Sequence, residues 1–177
     1  MELIHADDKA RLEQIELLYL QAFPKSERKP FRLICRKKEE GVSHILSIEE
    51  NNEFLGLAIT MIYEDMVLLD YFAMDHNRRS KGYGSAALLA LTQYYHGYRM
   101  ILEIESTALE TDDLEQRLRR KNFYHKNGMT DLGLAADLFG VPMELLSNNT
   151  PVSFDEYLEL YVRTYGDRMR EFVKPIY

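Results

Sequence analysis

The sequence has very little of what extracellular, zinc-binding and membrane-spanning proteins depend on. Cys35 is the single cysteine among 177 residues, so neither an intramolecular disulfide nor a cysteine-rich zinc module can form. No run of apolar residues approaches the roughly 18 that a transmembrane helix needs. Charges occupy the first residues, MELIHADDKARLEQ, where a signal peptide has an apolar core. These absences predict a cytoplasmic protein with no membrane partner.

Basic residues are also in short supply. Lysine and arginine total 22 against 29 acidic residues, which gives a net charge of −7. This balance argues against nonspecific binding to nucleic acid and suits cationic partners better. The composition, 46% apolar and 29% charged, is that of a globular protein. Since no linker rich in glycine, serine or proline interrupts the chain, residues 1–177 are predicted to form a single domain.

Hydrophobic periodicity predicts a chain that mixes helices and strands. Helices are expected over residues 8–23, from near Pro30 to about 40, 85–95, 112–125 and from Ser153 onward, and strands over 44–49, 53–63, 66–74, 99–105, 129–134 and 141–146. In the fourth helix, Leu114 and Leu118 are expected to pack inward. The order predicts an α+β (mixed α/β) fold: a central, mostly antiparallel mixed sheet flanked by helices, with one parallel β-α-β crossover from 66–74 through 85–95 to 99–105.

The most informative segment runs from Met74 to Ser85, where a buried strand leads through a basic loop into a helix. Gly82 and Gly84 allow a positive φ and close approach of a ligand to the backbone. Backbone N–H groups at a helix N-terminus bind anions, and the helix dipole assists them. Arg78, Arg79 and Lys81 add positive charge. This segment therefore predicts a phosphate-binding site.

Three phosphate-binding motifs compete for this segment. A Walker A loop is excluded, because its lysine follows the second glycine, whereas Lys81 precedes Gly82. The dinucleotide fingerprint fits Gly82, Gly84 and Ala87 formally, and Glu103 follows about 20 residues later. However, a long loop separates the strand from the first glycine, and too little chain remains for a second mononucleotide-binding half. A dinucleotide-binding oxidoreductase is thus the weaker alternative.

The third motif is Arg/Gln-x-x-Gly-x-Gly/Ala, which residues 79–84 fill as RSKGYG. Here the sequence resembles the GNAT superfamily of acetyl-CoA-dependent N-acetyltransferases, over roughly residues 44–130. A second segment, residues 123–129 (FYHKNGM), is similar to the family's Tyr-x-x-x-Gly-hydrophobic segment between the fourth helix and the next strand. Two motifs in the family's order, about 40 residues apart, make the resemblance specific.

The resemblance implies how the chain would hold acetyl-CoA, its acyl donor. Backbone N–H groups from Arg79 to Ser85 would bind the pyrophosphate, and the strand that precedes the loop would pair with the pantetheine arm. The residues that the resemblance assigns to the donor are Phe72, Ala73, Met74, Arg78, Arg79, Ser80, Lys81, Gly82, Tyr83, Gly84 and Ser85. The acetyl group would pass directly to an amine, so Cys35 is not needed as a nucleophile.

Direct transfer makes two chemical demands. An amine with a pKa near 10.4 must lose a proton, which costs about 4.6 kcal/mol at pH 7 and favours a carboxylate base. Asp70, Glu105 and Glu103 are the candidates, with Glu105 and Asp70 preferred. The departing CoA thiolate, with a thiol pKa of about 8.5, needs a hydrogen-bond donor. By resemblance this donor is Tyr124, acting through a strong hydrogen bond or with a lowered phenol pKa.

Several features leave alternatives open. Arg117 stands where many family members carry an asparagine that holds pantetheine, so that contact is absent or comes from elsewhere, such as Asn122. An aromatic stripe on the last helix suits packing in the core or in a homodimer, with a ligand-binding aromatic wall as the alternative; its residues are Phe154, Tyr157, Tyr161 and Tyr165. The five histidines show no metal-ligand spacing, so no metal is expected.

The predicted function is N-acetyltransfer to a primary amine of a small molecule or peptide, and a non-catalytic acyl-CoA-binding module is the first alternative.

Overall fold

The computed structural model describes residues 1–25, 27–78, 82–148 and 150–177, with the backbone only at position 78. Contacts between residues divide the chain into two compact units. The first comprises Met1–Ile62 and Leu69–His96, and the second Tyr63–Leu68 and Gly97–Tyr177. That residues 1–177 form one domain stays a prediction.

The first unit pairs consecutive strands and covers them with helices. Its elements are β1 (Glu2–His5), α1 (Lys9–Ala22), α2 (Phe31–Glu39), β2 (Ser43–Glu50), β3 (Glu53–Tyr63), β4 (Met66–Met74), a short 3-10 helix (His76–Arg78) and α3 (Tyr83–Tyr94). The strand order is β1-β2-β3-β4, and β2 lies antiparallel to both β1 and β3. Only residues 69–74 of β4 belong to this unit.

A core of aromatic and β-branched side chains stabilises the first unit. Ile15 and Tyr19 of α1 and Ile34 of α2 are at most 1% exposed, and they belong to one buried cluster with Leu57 and Tyr71 of the strands. Burying each such side chain contributes about 1.5–3 kcal/mol. Along the second half of β4 buried and partly buried residues alternate, which places Tyr71 and Ala73 on the core face.

The second unit combines the start of β4 with the C-terminal elements. These are β5 (Arg99–Glu105), α4 (Leu114–Lys126), β6 (Thr130–Leu138), β7 (Val141–Ser147), α5 (Phe154–Tyr165), a 3-10 helix (Asp167–Glu171) and β8 (Val173–Ile176). The strand order is β4-β5-β7-β6-β8. The pairs formed by β7 with β5 and β6, and by β8 with β6, are antiparallel. The predicted mixed α+β class, mostly antiparallel with one parallel pair, is confirmed.

Predicted element positions are confirmed where the hydrophobic pattern is strong. The bounds of β4 and β5 match the predicted strands at 66–74 and 99–105. Helix α5 begins with the capping box formed by Ser153 and Glu156, and Gly166 follows its last residue. The four-residue strands β1 and β8 carry too few residues to display a pattern, and the sequence did not predict them.

The prediction that Leu118 packs inward is wrong, since this side chain is 42% exposed. The inward face of α4 instead carries Arg117, Lys121 and Tyr124, spaced four and three residues apart. The reason is electrostatic. Arg117 pairs with Glu105 on β5, and Lys121 pairs with Glu144 on β7, at 3.1 and 2.6 Å. Charged partners on the strands therefore decide which face of α4 turns inward.

Candidate active site

The loop that follows β4 ends in a helix N-terminus suited to an anion. The Asp75 N–H donates to the carbonyl of Leu55 at 2.8 Å, and its carboxylate accepts from the Asn77 N–H at 2.8 Å. Gly82 precedes α3 with φ of +78°, in the left-handed region that glycine favours. No side chain of the described residues caps α3. The N–H groups of its first turn are thus suited to bind an anionic ligand.

Part of the predicted donor-binding set lies outside the described residues. This holds for Arg79, Ser80 and Lys81, and for the side chain of Arg78, whose backbone closes the 3-10 helix. Of the described members, Gly82, Tyr83, Gly84 and Ser85 form the start of α3.

The strand residues predicted to pair with pantetheine lie at the end of β4. Phe72 and Met74 are partly buried, and Ala73 is buried on the core face. On the β3 side the approach is very close, because a β-carbon built on Gly56 would lie 2.5 Å from the Ala73 carbonyl oxygen and 2.9 Å from Sδ of Met74. A glycine at position 56 is what allows β3 and β4 to pack at this distance.

Asp70 on β4, a candidate base, is held by a lysine. The Lys29 ammonium lies 2.7 Å from each carboxylate oxygen of Asp70, whose side chain is 5% exposed. The same ammonium lies 5.3 Å from the centre of the Tyr71 ring. A carboxylate this well buried is costly unless it is paired, and Lys29 supplies the charge.

Glu105 at the end of β5, the other preferred base, is held by two arginines of α4. Arg117 and Arg120 each approach its carboxylate to 3.1 Å, and the Glu105 side chain is 15% exposed. Arg117 also donates to the backbone carbonyl of Ser106 at 3.2 Å. Arg117, which stands where the resemblance implies an asparagine, thus holds the β5 carboxylate, whereas Asn122 is exposed on α4.

Tyr124 is a buried residue near the end of α4, 8% exposed. Burial raises the pKa of its phenol to about 12, and the positive charge of Arg120 opposes this shift only in part. Its hydroxyl makes no hydrogen bond to the residues that the structure describes. The lowered phenol pKa considered from the sequence is therefore not found. At neutral pH this hydroxyl keeps its proton and can donate it in a hydrogen bond.

The family model for the acetyltransferase (GNAT) family matches residues 10–129, about two thirds of the chain. The chain belongs to the GNAT family. The match includes every residue predicted for the site. As a GNAT acetyltransferase the protein is an acyltransferase that uses acetyl-CoA. No curated protein matches the sequence significantly.

Solved structures with the same fold are GNAT proteins of low sequence identity. A Bacteroides thetaiotaomicron protein assigned to this family is 20% identical, with a TM-score of 0.80 over 94% of this chain and 99% of its own. An aminoglycoside 6'-N-acetyltransferase crystallised with coenzyme A is 14% identical, with a TM-score of 0.64 over 86% and 100%. A Brucella melitensis ribosomal-protein-alanine N-acetyltransferase is 15% identical, with a TM-score of 0.60 over 83% and 98%.

The residues predicted for the site belong to two different units of the chain. Asp70 and the described residues of the donor-binding set belong to the first unit, and Glu105 and Tyr124 belong to the second. In the second unit the structure also shows that one of the candidate bases, Glu103, is held by two tyrosines. The hydroxyls of Tyr157 and Tyr161 on α5 donate to one oxygen of Glu103 at 2.6 and 2.8 Å.

Tyr157 and Tyr161 also show how part of the aromatic stripe on the last helix is used. Tyr157 and Tyr161 are fully buried, so core packing is confirmed for these two residues. Helical spacing predicted their shared face, but nothing in the sequence linked that face to Glu103.

Two further properties concern the described residues as a whole. Among them, no group of three or more histidine, cysteine, aspartate or glutamate side chains could hold a metal ion. None of the helices that they form is long and apolar enough to cross a bilayer.

Proposed function

We propose that the protein transfers an acetyl group directly from acetyl-CoA to a primary amine of a small molecule or peptide. Membership of the GNAT family supports acyl transfer, and the names of its structural neighbours are those of enzymes that act on amines, an aminoglycoside in one and a protein alanine in another. The net charge of −7 favours a cationic acceptor. A single cysteine supports a reducing, cytoplasmic setting.

The start of α3 is proposed to bind the pyrophosphate of acetyl-CoA. Its first-turn N–H groups have no side-chain cap among the described residues, and Gly82 leaves space where a side chain would stand. Arg78, Arg79 and Lys81 would neutralise phosphate charge. Phe72, Ala73 and Met74 would pair with the pantetheine arm through their backbone. These assignments rest on the family motif and on the position of α3 directly after β4.

Tyr124 is proposed to stabilise the CoA thiolate as it leaves. The observation that carries the proposal is its hydroxyl, which no described residue engages and which keeps its proton at neutral pH. A phenol pKa of about 12 exceeds a thiol pKa near 8.5 by about 3.5 units. Complete proton transfer would therefore cost about 5 kcal/mol. Tyr124 is better suited to stabilise the thiolate by donating a hydrogen bond, and its hydroxyl is not engaged by any described residue.

A carboxylate is proposed to take the proton of the acceptor amine, with Asp70 and Glu105 as candidates. The two differ in what occupies them. Asp70 binds a primary ammonium, Lys29, which an acceptor ammonium can replace charge for charge. Glu105 binds two guanidinium groups, which fit a carboxylate in a planar arrangement that a single ammonium does not reproduce. This difference favours Asp70.

A screen of primary amines with acetyl-CoA tests the proposal, with free CoA release as the readout and product mass as confirmation. We expect release above the acceptor-free rate for at least one amine, with the mass of one acetyl group added to it. A protein that binds acetyl-CoA but releases no CoA with any amine would instead be a non-catalytic acyl-CoA-binding module.

A further inference from the structure

Lys29 lies in the connection between α1 and α2, and both its backbone and its side-chain ammonium are held by hydrogen bonds. Its backbone N–H donates to the Tyr71 hydroxyl at 3.1 Å, and its carbonyl accepts from the Tyr19 hydroxyl at 2.9 Å. Its ammonium binds both oxygens of Asp70 at 2.7 Å, and the side chain is 19% exposed. Lys29 thus has far less freedom than a lysine on a solvated helix.

Lys29 contacts two consecutive residues of β4, Asp70 and Tyr71. Its backbone binds Tyr71, which faces the core formed with α1 and α2. Its ammonium binds Asp70, which alternation places on the opposite face of the strand. Lys29 therefore contacts residues on both faces of β4.

The two β4 residues that Lys29 contacts come directly before those proposed to pair with the donor arm. Asp70 precedes Phe72, the first residue proposed to pair with pantetheine, by two residues, a spacing of about 6.6 Å along a strand. A primary amine of the protein therefore occupies a candidate base, directly beside the proposed path of the thioester. No acceptor has to bind for this amine to be in place.

We propose that Lys29 is a self-acetylation site, on which the enzyme places the acetyl group when no acceptor is bound. This inference rests on the proposed function. Asp70 takes one proton from the ammonium, and the nitrogen lone pair attacks the thioester carbonyl. The new N–C bond forms and the C–S bond breaks. CoA leaves as the thiolate, and the remaining surplus proton of the nitrogen passes to that thiolate or to solvent. The products are N-acetyl-Lys29 and free CoA.

Acetylation changes the electrostatics around Asp70. It removes the positive charge of Lys29 and with it the ion pair that the buried carboxylate depends on. Asp70 then lacks a cation, so an acceptor ammonium no longer competes with Lys29 for it. Self-acetylation would thus convert the enzyme from an occupied form into one with a vacant acceptor carboxylate.

Incubation with acetyl-CoA alone, followed by peptide mass mapping, tests the proposal. We expect one acetyl group on Lys29, added at least about tenfold faster than on Lys9, because Lys29 is positioned beside a base. Lys9 is the internal control for uncatalysed acetylation, since its side chain is 89% exposed. In Asp70→Asn, whose amide cannot take the proton, acetylation at position 29 should slow to the rate of Lys9.

Lys29→Arg keeps a cation beside Asp70 but offers no acetylatable amine, so its acceptor-free CoA release should lack the single-turnover phase. The mapping of the wild-type chain does not depend on whether this variant folds. Equal rates at Lys29 and Lys9 would overturn the proposal, as would an unmodified Lys29 in an enzyme that acetylates an amine of the library. Absence of both reactions would instead overturn the proposed function, and self-acetylation with it.

Discussion

At the scale of single residues, the Tyr124 hydroxyl is notable because no described residue engages it. The ring is buried, but the hydroxyl oxygen itself reaches solvent, since it is not among the buried polar atoms of the described residues that lack a partner. The helix of Tyr124 ends two residues later, and its ring packs edge-on against Phe123 with centroids 5.2 Å apart. Packing therefore fixes the ring, while the hydroxyl remains available for a group that the protein itself does not supply.

We expect Tyr124→Phe to reduce kcat strongly and stability only slightly. The substitution removes a donor proposed to act on the leaving thiolate, and such donors contribute about 10²–10³-fold. It breaks no hydrogen bond to the described residues, so the free energy of unfolding should change by less than about 0.5 kcal/mol. Steady-state kinetics and urea unfolding measure the two effects. A variant that turns over at the wild-type rate would remove Tyr124 from the mechanism.

The family resemblance nominated Tyr124, and residue type and position nominated Glu105 and Asp70, but neither described the surroundings of these residues. The direction of the Tyr124 pKa shift depends on how deeply α4 buries the ring. The Asp70 and Glu105 partners come from residues 41 and 12 or 15 positions away, and no local pattern encodes those pairings. An aspartate within an apolar strand signalled only that some partner must exist.

At the scale of secondary structure elements, the C-terminal end of α3 is fastened to β1 and β2 by two histidines. His5 hydrogen-bonds the Tyr94 hydroxyl at 2.7 Å, and His44 hydrogen-bonds that of Tyr95 at 2.9 Å. The two imidazole rings lie edge to face with centroids 4.7 Å apart. Thr60 on β3 also contacts the Tyr95 hydroxyl, at 2.8 Å. The helix whose opposite end is proposed to bind pyrophosphate is therefore attached to the sheet through these two histidines.

Because His44 is partly buried, we expect the free energy of unfolding to decrease in mildly acidic solution. Burial, and to a smaller extent the charge of His5, lowers the pKa of His44 in the folded state. Below the unfolded pKa of about 6.5 the unfolded chain then binds a proton that folded His44 does not bind. The free energy of unfolding should therefore fall as pH decreases from about 7.5 to 5.5, as measured by urea unfolding.

His44→Phe should flatten this pH dependence, because its ring can occupy the same space without titrating. His96→Gln is the matched control, since His96 is exposed just beyond the end of α3. It should leave the slope unchanged. An unaltered slope in His44→Phe would assign the acid sensitivity to other groups.

The contact between β3 and β4 supports a second prediction at this scale. In Gly56→Ala the new methyl group would meet the Ala73 carbonyl oxygen at 2.5 Å, so the strands must separate. Such overpacking costs about 1–3 kcal/mol. Because the displaced residues are those proposed to pair with pantetheine, the KM for acetyl-CoA should rise together with the loss in Tm.

Gly41→Asn is the control for Gly56→Ala. Asparagine tolerates the left-handed backbone at position 41, and a β-carbon there meets nothing within 4 Å. It should change neither Tm nor KM appreciably. An unchanged KM in a clearly destabilised Gly56→Ala would separate the β3–β4 contact from donor binding.

A helix or strand could be predicted where its own residues carry the pattern that defines it. The strands β4 and β5 could be predicted from their own apolar runs, and the start of α5 from its capping box. The inward face of α4 did not follow this logic, because Arg117 and Lys121 turn inward to meet carboxylates on strands elsewhere in the chain. Long-range ion pairing there outweighs the burial of Leu118, which remains exposed.

At the scale of the whole molecule, net charge and donor chemistry oppose each other. The chain carries −7, and CoA is itself an anion, so long-range electrostatics do not attract the donor. We therefore propose that binding depends on local interactions: backbone N–H groups at the start of α3, the basic side chains of Arg78, Arg79 and Lys81, and backbone pairing along β4. A ligand that shares the phosphates but lacks the pantetheine arm should lose much of this binding.

A thermal-shift comparison of CoA with NADP measures this selectivity. At 100 times its dissociation constant, a ligand that binds only the folded state adds about 2.7 kcal/mol, which raises the Tm of a chain of this size by roughly 5–10 °C. We expect that shift with CoA and almost none with NADP at equal concentration, because NADP has no arm to pair with residues 72–74. A larger shift with NADP would favour dinucleotide binding at Gly82 and Gly84, and the acyl-donor site would then have to lie elsewhere in the chain.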